Sequence, residues 1–148
     1  MTAKKAVKRG FDFSAMDTVK ASNEGKFFSF IDIESGDEVE AGAIMLGADS
    51  EEYQRAHFRV QQEFSKTKKG KDGALDESQW ENFERLEKVI ACCKSLKDCF
   101  IGDKEYADNK DDIREFFTML PLMRDQMWAR LSSRANFLNR ADKAGSAT

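Results

Sequence analysis

Apolar residues follow two rhythms along this 148-residue chain, and the change of rhythm divides it. Between residues 27 and 47 they fall in two short runs, FFSFIDI and VEAGAIMLG, separated by the turn-forming ESGDE. Such a pair predicts a β-hairpin. In the first run Phe27, Ile31 and Ile33 share one parity and Phe28 and Phe30 the other, so the strand is expected to bury both faces at its start and to expose one later. Gly36 can take positive φ in the turn. On the return strand Ala43 and Met45 oppose Ile44 and Leu46, Gly42 is the expected bulge, and Gly47 ends the run.

From about Ser50 the spacing becomes three and four. Tyr53, Ala56, Val60 and Phe64 share one helical face, with His57 and Phe58 beside it. Asp49 is the expected N-cap, with Glu52 closing an acidic capping box. A polar Gly/Lys loop follows over residues 66–73. Asp76 and Gln79 start a second helix, whose stripe is Trp80, Phe83, Leu86, Ile90 and Cys93, widened by Val89 and Leu96. Glu81, Glu84, Arg85, Glu87 and Lys88 are expected to face away, with Glu84 and Lys88 forming an i,i+4 pair. Residues 99–106, around Gly102-Asp103, read either as a small second hairpin or as an irregular link.

Asn109 and Asp112 set a cap for a helix carrying Ile113, Phe116, Phe117 and Leu120. Pro121 ends that helix or opens the next. The last stripe is Leu122, Met123, Met127, Leu131, Arg134 and Leu138, with Trp128 and Ala135 alongside. At the front, Ser14 and Asp17 signal a short helix over residues 15–23 that stops at Gly25. The sum is an α+β fold, an N-terminal β-hairpin packed by three to four helices and predominantly helical. It spans residues 11–140 as a single domain, between a flexible basic lead (1–10) and a flexible tail (141–148) with nothing to bury.

Composition adjusts this picture little. With 41% hydrophobic and 34% charged residues the chain can fill a core and cover it, which sets it apart from disordered sequences. A formal charge of −3 gives no general pull towards nucleic acid or anionic membrane. The basic clusters, Lys4-Lys5-Lys8-Arg9 and Lys66-Lys68-Lys69-Lys71, read as solvated segments. No apolar run follows the basic N-terminus, and none approaches the roughly 20 residues of a membrane span, so a cytoplasmic protein is expected. Cys92, Cys93 and Cys99 stand in a CC-x5-C spacing unlike a zinc ribbon, and His57 is the lone histidine. Reduced, buried thiols are expected, with neither metal nor cofactor.

Catalytic patterns are missing: no GxGxxG, no GxxxxGK[ST] and no GxSxG occurs. Asp108, Asp111 and Asp112 sit at a helix start, where the macrodipole accounts for them. The reading is therefore non-enzymatic. A small nucleic-acid-associated regulatory protein is the alternative: Arg124, Arg130, Arg134 and Arg140 lie near the end of the chain, where Trp128 offers a stacking surface. Cations are favoured near a helix C-terminus in any case, which weakens that reading. A protein-binding role fits better. Its candidate anchors are Phe11 and Phe13 at the front, Phe28 and Phe30 in the hairpin, and Trp128 and Phe137 at the back, each of which otherwise serves the core.

Three stretches carry a resemblance. Ala15, Asp17 and Thr18 follow the aromatic pair Phe11/Phe13; Ser35, Gly36 and Asp37 form the turn; and Gly47, Asp49, Ser50 and Tyr53 join strand to helix. With RANFL at 134–138, these residues resemble the tail assembly chaperones of long-tailed (siphovirus-type) bacteriophages. The likeness covers 11–53 well and the middle loosely; where a tryptophan and a glycine turn are expected near 97–103, Phe100 and Gly102 stand instead. The resemblance implies a non-enzymatic chaperone in the host-cell cytoplasm. It would bind the tape-measure protein, keep it soluble and recruit tail-tube protein, with self-association as a further possibility and a frameshifted longer product joining after Ala141.

Overall fold

In the computed structural model of the protein, which describes residues 10–68 and 76–138, the expected hairpin forms as β1 (Lys26–Ile31) and β2 (Glu38–Met45). They pair antiparallel with Phe27 opposite Ile44 and Phe28 opposite Ala43, and Gly36 takes φ +77° in the connecting turn. A third strand, β3 (Cys93–Lys97), adds antiparallel to β2, giving the order β1-β2-β3. The second hairpin also forms: β4 (Cys99–Ile101) and β5 (Lys104–Tyr106) turn on Gly102 at φ +63°.

Five α-helices are present among the described residues: α1 (Val19–Glu24), α2 (Glu51–Lys68), α3 (Glu77–Cys92), α4 (Lys110–Met119) and α5 (Pro121–Ser132). Two 3-10 turns, Ser14–Met16 and Arg134–Phe137, flank the set. The fold is α+β, as the hydrophobic rhythm predicts. No described helix is long and apolar enough to cross a membrane. All but the last residue of the lead (1–10), most of the Gly/Lys loop and the tail (141–148) lie outside the described residues.

One face of the sheet makes the core. Phe28, Phe30, Ala43, Met45 and Leu96 meet Val89 and Ile90 of α3, Ile113, Phe116 and Phe117 of α4, and Met127 and Leu131 of α5. Phe30 sits against Phe116 and Phe117, with ring centroids 5.7 and 6.4 Å away, and Phe28 meets Phe137 edge-on at 5.8 Å. Such aromatic pairs add about 0.5–1.5 kcal/mol each beyond the area they bury. The free edge of β1 is closed at one point by a side chain. Gln126 on α5 accepts from the Ile31 N–H at 2.8 Å and donates to its C=O at 2.9 Å, replacing a strand partner.

Several local expectations change. The first strand buries only the Phe28/Phe30 face, while Phe27 lies exposed on the outer one. One register shift falls between the Ser29–Gly42 and Ile31–Glu38 pairs, with the extra residues on β2 directly beside Gly42, and another between Ile44 and Met45. Gly42 also answers a close approach: a Cβ there would lie 2.5 Å from the Phe27 ring and 2.4 Å from the Phe28 carbonyl oxygen. The second long helix stops at Cys92, because Cys93 turns to extended backbone and starts β3. Glu87 and Lys88, expected outside, are buried. The front helix splits, with Asp12 accepting from the Ser14 N–H and Asp17 from the Val19 N–H on either side of the 3-10 turn. The last helix ends at Ser132, short of Arg134.

Gly42→Ala places a methyl against backbone that cannot step aside. It is expected to cost about 2 kcal/mol of stability, within the overpacking range, read as a lower urea midpoint with unchanged slope.

Candidate functional site

Three of the four segments that carry the resemblance, those of Thr18, Asp49 and Arg134, meet at the β2–α2 junction, while the Ser35-Gly36-Asp37 turn stands at the other end of the hairpin. The chain leaves β2 through Leu46 and Gly47, and α2 begins at Glu51. Ser50, not Asp49, caps this helix, its Oγ accepting from the Tyr53 N–H at 3.2 Å and donating to the Gly47 carbonyl at 2.7 Å. Asp49 is thereby released to bind elsewhere. Its carboxylate accepts a hydrogen bond from the Thr18 hydroxyl and is held by Arg134 Nε at 3.0 and 2.9 Å.

Neighbouring backbone closes the same knot. The Gly47 N–H donates to the Ser22 carbonyl at 3.0 Å, Ala48 N–H to Leu131 at 3.1 Å, and Glu51 N–H to the Asn23 side chain at 2.9 Å. Gly47 is required by close approach, since a Cβ would stand 2.4 Å from Ser22 Oγ and 2.9 Å from the Phe137 ring. Arg134 lowers the Asp49 carboxyl below its ordinary range, with Thr18 adding to the effect against some desolvation.

A second polar cluster lies between α2 and α3. Lys88 is 2% exposed, yet its ammonium donates to Tyr53 Oη at 3.3 Å, to His57 Nδ1 at 2.9 Å and to the Glu84 carboxylate. It also stands 4.8 Å from the Tyr53 ring centroid and 5.8 Å from that of Trp128. An ammonium only donates, so His57 accepts at Nδ1 and carries its proton on Nε2. Glu84 balances the buried ammonium, and Tyr53 and His57 accept its remaining hydrogen bonds. Sequence reasoning missed the cluster. The available signal was a pair of polar i,i+4 spacings, Tyr53/His57 on one helix and Glu84/Lys88 on the next.

Beside it, Glu87 is gripped by Arg114 through bonds of 2.7 and 3.1 Å, with Arg59 further off at 3.9 Å. Lys110 reaches the end of α3 and donates to the Ile90 carbonyl at 2.7 Å, which also accepts from the Cys93 N–H, and to the Cys93 carbonyl at 2.8 Å. The three cysteines are reduced and buried. Burial pushes the thiols of Cys92 and Cys93 up to about 12 and that of Cys99 to about 11, so they remain protonated.

The candidate anchors separate cleanly. Phe28, Phe30 and Phe137 are core residues that a partner reaches only by opening the fold. Trp128 is half-buried and stacks near Tyr53, with centroids 6.4 Å apart. Phe11 and Phe13, by contrast, are 66% and 67% exposed. The arginines of the nucleic-acid reading are engaged: Arg124 with Asp125 at 3.0 Å, Arg130 over the Phe28 ring at 5.6 Å and Arg134 with Asp49. Arg140 lies outside the described residues. The chain matches no family model, no curated protein and no solved structure.

Two outcomes follow from these clusters. Asp49→Asn is expected to cost about 2 kcal/mol, the scale of hydrogen bonds to a charged group. The folded carboxyl titrates below its unfolded value, so its stabilisation is full above about pH 4 and drains away as pH falls through the lowered value. Urea titrations across that window should show a shallower acid loss in the variant. At the second cluster, Glu84→Leu strands a buried ammonium and is expected to cost about 3 kcal/mol, whereas Lys88→Met removes the charge and stays within about 1 kcal/mol of the parent. Chemical denaturation of both variants checks the contrast.

Proposed function

We propose that this protein is a non-enzymatic tail assembly chaperone of a long-tailed bacteriophage, acting in the host cytoplasm on the tape-measure protein. The observation that supports the reading is the meeting of three of its four motif segments, the Ser35-Gly36-Asp37 turn standing apart. Thr18, Asp49 and Arg134 come from three stretches, each part of the resemblance, and they form one hydrogen-bonded unit. Residues of one motif are expected to serve one structure, and these do. The unit ties both ends of the folded region to the start of α2, which leaves α1 and the segment before it in a fixed position.

Phe11 and Phe13 stand in that segment and supply the contact surface. A tape measure is a long helical chain with apolar stripes, and exposed aromatic side chains are the usual hot spots against such stripes. Many copies binding weakly along one chain keep it soluble through avidity, and each contact remains easy to break when tail-tube protein arrives. Lys88, the best-equipped side chain for proton transfer, is buried and committed to three partners, in keeping with a binding role.

Co-expression with the tape-measure fragment encoded next to it tests the reading. The fragment is expected to move from pellet to supernatant and to co-purify with the chain, and Phe11→Ser combined with Phe13→Ser should return most of it to the pellet. Equal aggregation with and without the chain would overturn the proposal. So would tight binding to duplex DNA that weakens steeply with salt, the signature of the regulatory alternative.

A further inference from the structure

A cavity of about 490 Å³ opens between α2, α3 and α4. Its floor is apolar, made by the buried Ile90 and by Ala91 at the end of α3. Four cations stand in its walls, Arg55 and Arg59 from α2 and Lys110 and Arg114 from α4. Against them stand three carboxylates, Glu52, Glu87 and Asp111, so one positive charge is left over.

The pairing inside the cavity places that excess. Arg114 meets both oxygens of Glu87, at 2.7 and 3.1 Å, so the two neutralise each other. Arg55 pairs with Glu52 at 3.3 Å. Asp111 forms no ion pair among the described residues and stands in the first turn of α4, where the helix macrodipole favours a negative charge. Arg59 has only the engaged Glu87, 3.9 Å away. Lys110 has no carboxylate within ion-pair distance among the described residues. Its ammonium donates to the carbonyls of Ile90 and Cys93, and its third N–H makes only a long contact of 3.5 Å with that of Ala91. Desolvation holds this ammonium below the usual lysine range, with Glu52 opposing it only in part.

We infer that this cavity binds an organic monocarboxylate, with its charged end facing Arg59 and Lys110 and its apolar body on Ile90 and Ala91. A single negative charge fits because a single positive one is unbalanced. A dianion would bring a surplus of its own towards Glu52, Glu87 and Asp111. The body is apolar because the floor side chains offer it no hydrogen-bonding group. Sites for small organic ligands measure about 300–1,000 Å³, and this cavity lies in that range. The carboxylate can belong to a free acid or to the end of a peptide chain, since both present the same two oxygens. The inference does not rest on the chaperone reading, and either can fail without the other.

Titration of the isotope-labelled full chain with hexanoate, followed by NMR, tests it. The backbone amide signals of Ala91 and Lys110 are expected to shift and saturate, with a Kd on the order of a millimolar for so small a ligand. Hexanamide, the same body without the charge, should bind about tenfold more weakly or worse. N-acetylleucine run beside hexanoate distinguishes the sources: tighter binding of the first marks a chain end, of the second a free acid, and either supports the site. Arg59→Gln and Lys110→Gln should each raise the hexanoate Kd about tenfold, the scale of one hydrogen bond between charged groups. Lys110→Gln also gives up the carbonyls at the end of α3. Arg59 is exposed, so Arg59→Gln, with an unchanged thermal melt, carries the test where the other variant melts early. Shifts that never saturate or that fall away from the cavity overturn the inference. So does acetate or hexanamide binding as tightly as hexanoate, or an unchanged affinity in Arg59→Gln.

Discussion

The carboxylate of Asp49 is the constraint on which the arrangement of this chain depends. Sheet and helices share an apolar core that would hold without it, but the core does not determine where the two ends of the fold lie. The Thr18 hydroxyl and the Arg134 guanidinium do, by converging on one acidic group from positions 31 and 85 residues away. Hydrogen bonds to a charged acceptor are directional and about twice as strong as neutral ones. They fix an angle as well as a distance, and α1 consequently leaves the body in one direction with the Phe11/Phe13 segment at its front.

Much of the fold can be read from the hydrophobic rhythm, because that rhythm records local burial. The hairpin, the capping box at Asp76, the Asn109 cap and the role of Pro121 at the first position of α5 are all local, and each stands where the sequence places it. The departures share a cause as well. Cys93 continues a helical stripe perfectly, yet β2 offers an unpaired edge alongside, and strand pairing there overrides helical periodicity. Phe27 belongs to an apolar run, but among the described residues no layer covers its side of the sheet. Lys88 looks like a solvent-facing lysine from its own helix; Glu84 on that helix supplies the counter-charge, and the neighbouring α2 adds the two further acceptors, Tyr53 and His57, that allow it inside.

The candidate site was legible in a more uneven way. Phe11 and Phe13 could be singled out because they precede the periodic elements and so have no stripe to join. Phe28, Phe30 and Phe137 carry the same aromatic signal, and nothing in their local sequence distinguishes a core ring from a contact ring. The triad at Asp49 lies beyond local reasoning, since no spacing rule connects residues so far apart. Only the resemblance grouped them, as motif fragments without a stated physical link.

The Gln126 amide on Ile31 bears on how such a molecule survives at high local concentration. A side-chain amide has one donor and one acceptor in the geometry of a peptide group, so at that residue it occupies the place an invading strand would take. Growth of sheet from one molecule to the next is therefore obstructed at the hairpin's rim. At this rim crowded neighbours meet side chains, whose contacts come apart as readily as they form, rather than a backbone ladder, which does not.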